Sequence, residues 1–250
     1  MIYVIIMSMR IDRLLCEMNI GSRSQVKELL KKGLVTVNGT VIKKADASVN
    51  EHSDVIICEG RRCMYQPFVY YMMNKPAGIL SATRDACQRT VLDLLCEELK
   101  KQNQGDLTGI PVKDIFPVGR LDKDTVGLLL LTNDGELAHR LLSPKKHVAK
   151  KYYVKTDCPV GETAADLFAE GIDIGEGQLT KPAVLERLDN QEFNLTITEG
   201  KFHQVKRMFQ AVGASVIYLK RISMGGLTLD ENLPEGHIRE LSKEEVLLLC

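Results

Sequence analysis

The chain has 250 residues, of which 44% are hydrophobic and 26% are charged, so its composition is that of a globular protein and excludes wholesale disorder. Its formal net charge is zero, so any nucleic-acid interpretation depends on where the basic residues lie and not on their sum. The seven cysteines include no C-x-x-C pair, which gives no zinc-site spacing and favours reduced thiols.

Residues 1–8 are mostly apolar but have no basic leader, so they do not resemble a signal peptide. No segment approaches the length needed to span a membrane. We therefore expect a cytoplasmic protein without a membrane partner. Met9 is an alternative start, because the structured pattern begins directly after it.

Residues 9–65 have the pattern of two short helices followed by a small sheet. Apolar residues at i, i+3, i+4 and i+7 from Ile11 predict an amphipathic helix, and Ser22 can cap a second helix. The dipeptide Asn38-Gly39 between two apolar runs predicts a tight β-hairpin. These features predict a small N-terminal domain.

Basic residues recur on the polar side of both predicted helices: Arg10, Arg13, Arg23, Lys27, Lys31 and Lys32. An ordinary solvated surface is one interpretation. Because few acids lie between them, we favour a face that binds phosphates.

Residues 66–250 form a second predicted domain in which strands and helices alternate irregularly, which favours an α+β fold over a doubly wound sheet. We predict strands at 68–73, 127–132, 152–156, 193–198 and 215–222, and helices at 136–142, 162–170, 203–212 and 243–249. Thr90 can cap a further helix, and residues 100–114 have the composition of a loop.

Residues 117–135 are the densest candidate for chemistry, because Arg120, Asp122 and Asp124 directly precede an apolar strand. An acid at the mouth of a buried strand is partly desolvated and is aimed by the rigid sheet, which suits a nucleophile or a general base. Loop acids or helix caps have the same spacing, so the pattern alone identifies no reaction.

Two more runs place basic residues together. In residues 198–209, His203, Lys206 and Arg207 lie within about one helical turn and can present cations to a phosphate or a carboxylate. In residues 147–154, basic residues adjoin tyrosines, which fits nucleic-acid stacking. From the residues alone, an exposed basic helix face is the better interpretation of the first run, and an ordinary edge strand explains the second equally well.

Together the runs resemble small-subunit ribosomal RNA pseudouridine synthases of the RsuA type, over nearly the whole chain. Residues 10–38 are similar to the S4 RNA-binding module. The catalytic-domain motifs are matched, in order, by Asn74-Lys75-Pro76-Ala77-Gly78, by Gly119-Arg120-Leu121-Asp122 with Thr125 and Gly127, by Lys150 with Tyr152, and by residues 199–209.

The resemblance implies an S4-like domain at 9–65 and, at 66–250, a pseudouridine synthase catalytic domain built on a mixed, mostly antiparallel sheet. It implies that Asp122 is the catalytic carboxylate, that Tyr152 packs against the target base, and that Arg207 pairs with Asp122. The residues expected to bind RNA are Arg120, Lys75, His203, Lys206, Arg13, Arg23 and Lys27.

The implied reaction converts a uridine of 16S ribosomal RNA to pseudouridine, an isomerisation that needs no cofactor and no metal. The expected partner is 16S ribosomal RNA, either naked or within a partly assembled small subunit, and the expected oligomeric state is a monomer. Residues 179–183 and the order of the last motif favour the small-subunit subgroup over large-subunit relatives.

Three alternatives stay open. The chain can be a pseudouridine synthase acting on 23S ribosomal RNA, or a non-catalytic S4-type RNA binder in ribosome assembly. It can also be a glycoside-type hydrolase with Asp124 as its second carboxylate, although such enzymes need two carboxylates at a defined separation.

Overall fold

The computed structural model describes residues 8–51, 53–63, 65–108, 110, 112–143, 145–175 and 177–249. All but the last residue of the apolar run at 1–8 lies outside them. The chain forms two compact units: the first comprises residues up to Val69 together with Leu99–Asp114, and the second comprises Tyr70–Glu98 and the chain from Ile115 onward. No helix in the described ranges is long and apolar enough to cross a membrane.

The first unit contains the two predicted helices and the small sheet. Its elements are β1 (Met9–Arg10), α1 (Ile11–Glu17), α2 (Arg23–Lys31), β2 (Val35–Val37), β3 (Thr40–Val41), β4 (Ser48–Val49), β5 (Ile56–Cys58) and β6 (Arg61–Cys63). Ser22 caps α2 in a reciprocal capping box with Gln25, as the sequence predicts for its N-terminus. Asn38 and Gly39 both have positive φ in the turn between β2 and β3, which confirms the predicted hairpin.

Leu99–Asp114 groups with this first unit, whereas the sequence assigned it to the second domain. The Asn19 side-chain amide donates a hydrogen bond of 2.8 Å to the carbonyl oxygen of Leu107. Arg61 forms an ion pair of 3.3 Å with Asp106. Contacts between residues so far apart along the chain leave no local pattern, so the boundary predicted between residues 65 and 66 did not anticipate them.

The second unit is built on one large sheet. Its elements are β7 (Tyr70–Lys75), α3 (Val91–Gln102, whose end belongs to the first unit), β8 (Phe116–Pro117), β9 (Val126–Thr132), α4 (Gly135–Leu142), β10 (Lys150–Thr156), α5 (Ala164–Glu170), β11 (Val184–Arg187), β12 (Glu192–Ile197), α6 (Gln204–Ala211), β13 (Val216–Met224), β14 (Leu227–Thr228), β15 (Ile238–Glu240) and α7 (Lys243–Leu247).

The strand order of this sheet is β11-β12-β10-β13-β9-β7-β15, with β8 paired to β9 and β14 paired to β13. The pair of β13 and β9 is parallel, and the other pairs are antiparallel. The predicted α+β class with a mixed, mostly antiparallel sheet is therefore confirmed.

Strand β9 pairs with β7, β8 and β13, and all seven of its residues are buried. Gly127, with a φ of 98°, lies opposite Arg221 of β13. A Cβ atom at this position would lie 2.4 Å from the carbonyl oxygen of Arg221, so only glycine allows the two backbones to approach this closely.

Lys75, the last residue of β7, is fully buried with 0% exposure. Its ammonium donates hydrogen bonds of 2.9–3.2 Å to the carbonyl oxygens of Pro76, Asp122, Lys123 and Thr125. The structure therefore corrects the expectation that Lys75 binds RNA. The buried side chain instead binds the backbone carbonyl oxygens of the loop before β9.

Burial lowers the pKa of Lys75 to about 8, and the negative charges of Asp124 and Asp122 oppose that shift. At neutral pH the group is therefore largely an ammonium, which matches its carbonyl-only environment.

We predict that Lys75 makes stability depend on alkaline pH. The folded protein releases the proton near pH 8 and the unfolded chain holds it until about pH 10.5, so the burial penalty is present in full below pH 8 and is relieved as pH rises. The unfolding free energy of the wild type minus that of Lys75→Met should rise by about 1 kcal/mol between pH 7 and pH 9.

Denaturant titration at both pH values measures this difference. Lys145→Met, which removes an exposed lysine, is the matched control and should show no such rise. A wild-type minus Lys75→Met difference that stays flat over this range would contradict the prediction.

Candidate active site

Asp122 lies in the loop between β8 and β9, and its backbone is fixed from two directions. The hydroxyl of Ser81 donates to the carbonyl oxygen of Leu121 at 2.9 Å and accepts from the amide of the same residue at 3.1 Å. The ammonium of Lys75 binds the carbonyl oxygen of Asp122 itself. The side chain of Asp122 keeps 29% exposure, so a rigid loop presents a carboxylate that solvent can reach.

The imidazole of His203 and the ammonium of Lys206 face the carboxylate of Asp122. The Nε2 atom of His203 lies 3.6 Å from Oδ1, and the Nζ atom of Lys206 lies 3.6 Å from Oδ2. Lys206 also donates to both carboxylate oxygens of Asp124 at 2.6 and 2.7 Å. This hydrogen bond is the main cause that holds the pKa of Asp124 below its ordinary value.

Arg207 forms no ion pair with Asp122 within the described ranges, so the predicted pairing of these two residues is wrong. Its guanidinium donates instead to the carbonyl oxygens of Phe202 and Gly175, each at 3.4 Å. Neighbouring residues of a helix point about 100° apart. Lys206 therefore occupies the place beside Asp122 that the resemblance gave to Arg207.

The observed start of α6 differs by one residue from the predicted start. The sequence predicted a helix from residue 203, but the helix begins at Gln204, and His203 is its N-cap in the left-handed conformation with a φ of 48°. Lys206 and Arg207 are adjacent and carry the same charge, so the sequence does not distinguish them. The rotation of α6 about its axis decides which one faces the loop of Asp122.

A cleft of about 510 Å³ opens above Asp122, with Ser81, Arg120, Phe202 and His203 in its walls. A smaller pocket of about 80 Å³ adjoins it and is lined by Arg120, Asp122, Tyr152 and His203. The ring of Tyr152 is buried in strand β10. The structure thus brings Asp122, Tyr152, Arg120 and His203 to one pocket, with Lys206 beside it.

Phe202 is an aromatic residue of this cleft that the sequence analysis did not single out. Its side chain is 73% exposed, and its ring stacks on the imidazole of His203 with centroids 3.8 Å apart. The sequence signal that could have identified Phe202 is its position as an aromatic residue within a polar and basic run beside His203.

The predicted RNA-binding residues of the first unit are exposed on α1 and α2. Arg13 forms an ion pair of 2.8 Å with Glu17, one helical turn away. Arg23 and Lys27 have no ion pair within the described part of the chain, so their charges are the more available to a polyanion.

Comparisons with known proteins identify the family of this chain. The profile of the RNA pseudouridylate synthase family matches residues 69–211, and that of the S4 domain matches residues 9–56. The chain is 46% identical to YtzG of Bacillus subtilis (strain 168), which is named as an uncharacterized RNA pseudouridine synthase, over 96% of this chain and 98% of that protein.

The chain is also 41% identical to the ribosomal small subunit pseudouridine synthase A of Vibrio cholerae, over 95% of this chain and 98% of that protein. A crystal structure of a pseudouridylate synthase aligns with a TM-score of 0.65 at 37% identity, over 97% of this chain and 100% of that one. The family predicted from the sequence is confirmed. The chain therefore belongs to the RNA pseudouridylate synthase family, whose members are isomerases acting on RNA, and it has an S4 domain before the catalytic region.

Proposed function

We propose that the protein converts one uridine of 16S ribosomal RNA to pseudouridine, with Asp122 as the catalytic carboxylate. The main support is the position of that carboxylate, which lies at a pocket shared with Tyr152, with the Lys206 ammonium and the His203 imidazole each 3.6 Å away. The choice of 16S RNA rests on the relatives named ribosomal small subunit pseudouridine synthase A, which match 95% of the chain.

The reaction breaks the bond between C1′ and N1, turns the uracil, and joins C1′ to C5. The proton on C5 is lost and N1 gains one, so atoms and electrons balance without an oxidant or a reductant. The protein must hold a carboxylate near the sugar and keep the detached base in place. Asp122 provides the first function, and its loop is held by Ser81 and Lys75, so little reorganisation is needed during reaction.

The uridine must leave its stack to reach this pocket, which costs a few kcal/mol. Tyr152 supplies an aromatic face at the pocket wall on which the everted uracil stacks. Arg120 is exposed at the same cleft, where it can fill the space that the base vacates or hold a phosphate. In the S4 domain, Arg13, Arg23 and Lys27 bind phosphates of the RNA backbone, and this binding weakens as salt concentration rises.

Replacing Asp122 by asparagine tests its role. We expect Asp122→Asn to lower the single-turnover rate of pseudouridine formation at least about a thousandfold, because the amide cannot act as a nucleophile or base. RNA affinity, measured by filter binding, should change by less than about threefold. Asp124→Asn is the matched control and should stay within about tenfold of wild type, since Asp124 contacts Lys206 and does not line the pocket. Normal turnover by Asp122→Asn would disprove the assignment.

A second test asks whether Lys206 or Arg207 supports Asp122. The two residues are adjacent and carry the same charge, so each is a control for the other. We expect Lys206→Met to lower the single-turnover rate about a hundredfold, since Asp122 loses its facing ammonium. Arg207→Met should stay within about fivefold of wild type, and Lys206→Arg should recover most of the rate. If Arg207→Met is the more damaging variant, Arg207 and not Lys206 acts on Asp122.

The substrate is tested by mapping pseudouridine in ribosomal RNA from a strain with the gene and one without it. We expect one pseudouridine of 16S RNA to be missing in the deletion strain and to return with wild-type protein but not with Asp122→Asn. Purified protein should be assayed on naked 16S RNA and on partly assembled small subunits to find the form that it modifies. Loss of a 23S site would refute the 16S assignment, and release of free uracil would support the hydrolase.

A further inference from the structure

A second cavity, of about 310 Å³, adjoins the pocket of Asp122 and has a different lining. Five cationic side chains contribute to its wall: Arg120, Lys150, Lys181, Lys201 and Arg221. Glu199 is the one carboxylate in that described lining, and it accepts hydrogen bonds from the backbone amide of Lys181 and the side chain of Gln204. Positive charge therefore exceeds negative charge in a concave site.

Arg221 is the least usual member of this wall, because it is only 2% exposed. Its Nε atom donates to the carbonyl oxygen of Leu128 at 2.7 Å, but its Nη2 atom has no hydrogen-bond partner in the described part of the chain. A buried guanidinium without an anion costs free energy. An anion in the adjoining cavity would offset that cost.

Lys150 brings a second charge to the same place. Its Nζ atom donates to the carbonyl oxygen of Val148 at 3.1 Å, and no acidic side chain pairs with it within the described residues. Burial and then the charge of Arg221 lower the pKa of Lys150. The two cations thus repel each other across a site where an anion would attract both.

The geometry points to a phosphate subsite: we propose that this cavity binds a phosphodiester group of the RNA that flanks the everted uridine. The inference rests on the proposed function. Tyr152, Arg120, Gly200 and Lys201 line both this cavity and the pocket of Asp122, so a nucleotide in that pocket has its backbone next to the cationic wall. The hydroxyls of Ser143 and Thr198 add uncharged donors suited to phosphate oxygens.

The test replaces single phosphodiesters around the mapped uridine by uncharged methylphosphonates, one linkage in each RNA oligonucleotide. For wild-type protein we expect one or two adjacent linkages at which the replacement weakens binding about tenfold, the loss typical of a charge-assisted hydrogen bond. Lys150→Met should weaken binding of the unmodified RNA by a similar factor and should be insensitive to replacement at that linkage. Lys150→Arg, which keeps the charge, should restore the sensitivity.

Lys151→Met is the matched control. Lys151 is the next residue of β10, points to the opposite face of the sheet and pairs with Glu186, so the variant loses the same charge outside the cavity. It should keep the wild-type sensitivity at the same linkage. Thermal unfolding of each variant separates a folding defect from a lost contact, and Lys150→Arg covers the case in which Lys150→Met fails to fold.

A titration with inorganic phosphate distinguishes binding of an RNA phosphodiester from binding of a free phosphate ion. If phosphate raises the melting temperature of the wild type but not of Lys150→Met, while no linkage shows a dependence on Lys150, the cavity binds a free anion and the proposal is overturned. The absence of any Lys150-dependent linkage in a protein that forms pseudouridine also overturns it and leaves the proposed function intact. Failure of the wild type to form pseudouridine overturns both.

Discussion

The hydrogen bonds of the buried Lys75 ammonium are the constraint on which the candidate active site depends. Four carbonyl oxygens from Pro76 and from the loop at Asp122 converge on this one group, so the loop is held against the end of β7. These bonds hold the loop through its backbone and do not engage the side chain of Asp122. The carboxylate of Asp122 is therefore left free to meet a substrate, while its position is set by the sheet behind it.

Asp122 and Asp124 lie in the same loop but make different contacts with Lys206. Asp124 takes the short contacts with Lys206, at 2.6 and 2.7 Å, whereas Asp122 lies 3.6 Å from the same ammonium. Asp124 thus fixes the cation, and the cation faces Asp122 without forming a close hydrogen bond to it. Two carboxylates of one loop acquire different environments in this way, as pairs of acids in enzyme sites commonly do.

Features that depend on local chemistry could be predicted from the sequence. They include the hairpin at Asn38-Gly39, the capping box at Ser22 and the buried strand β9, because turn geometry, caps and apolar runs act over a few residues. The strands β11 and β15 were missed, since they are short and partly exposed at the ends of the sheet order. The burial of Lys75 and the choice of Lys206 over Arg207 depend on contacts between distant segments, which no local pattern encodes.

The parallel pair of β9 and β13 connects the two cavities of the second unit. Strand β9 follows directly from the loop of Asp122, and Gly127 lets the backbone of Arg221 approach it closely. The side chain of Arg221 then binds the carbonyl oxygen of Leu128, one residue further along β9, and forms part of the cationic wall. One strand pair therefore positions both the carboxylate and the proposed phosphate subsite. Since protein interiors are close-packed and transmit strain, a side chain at residue 127 would displace both sites together.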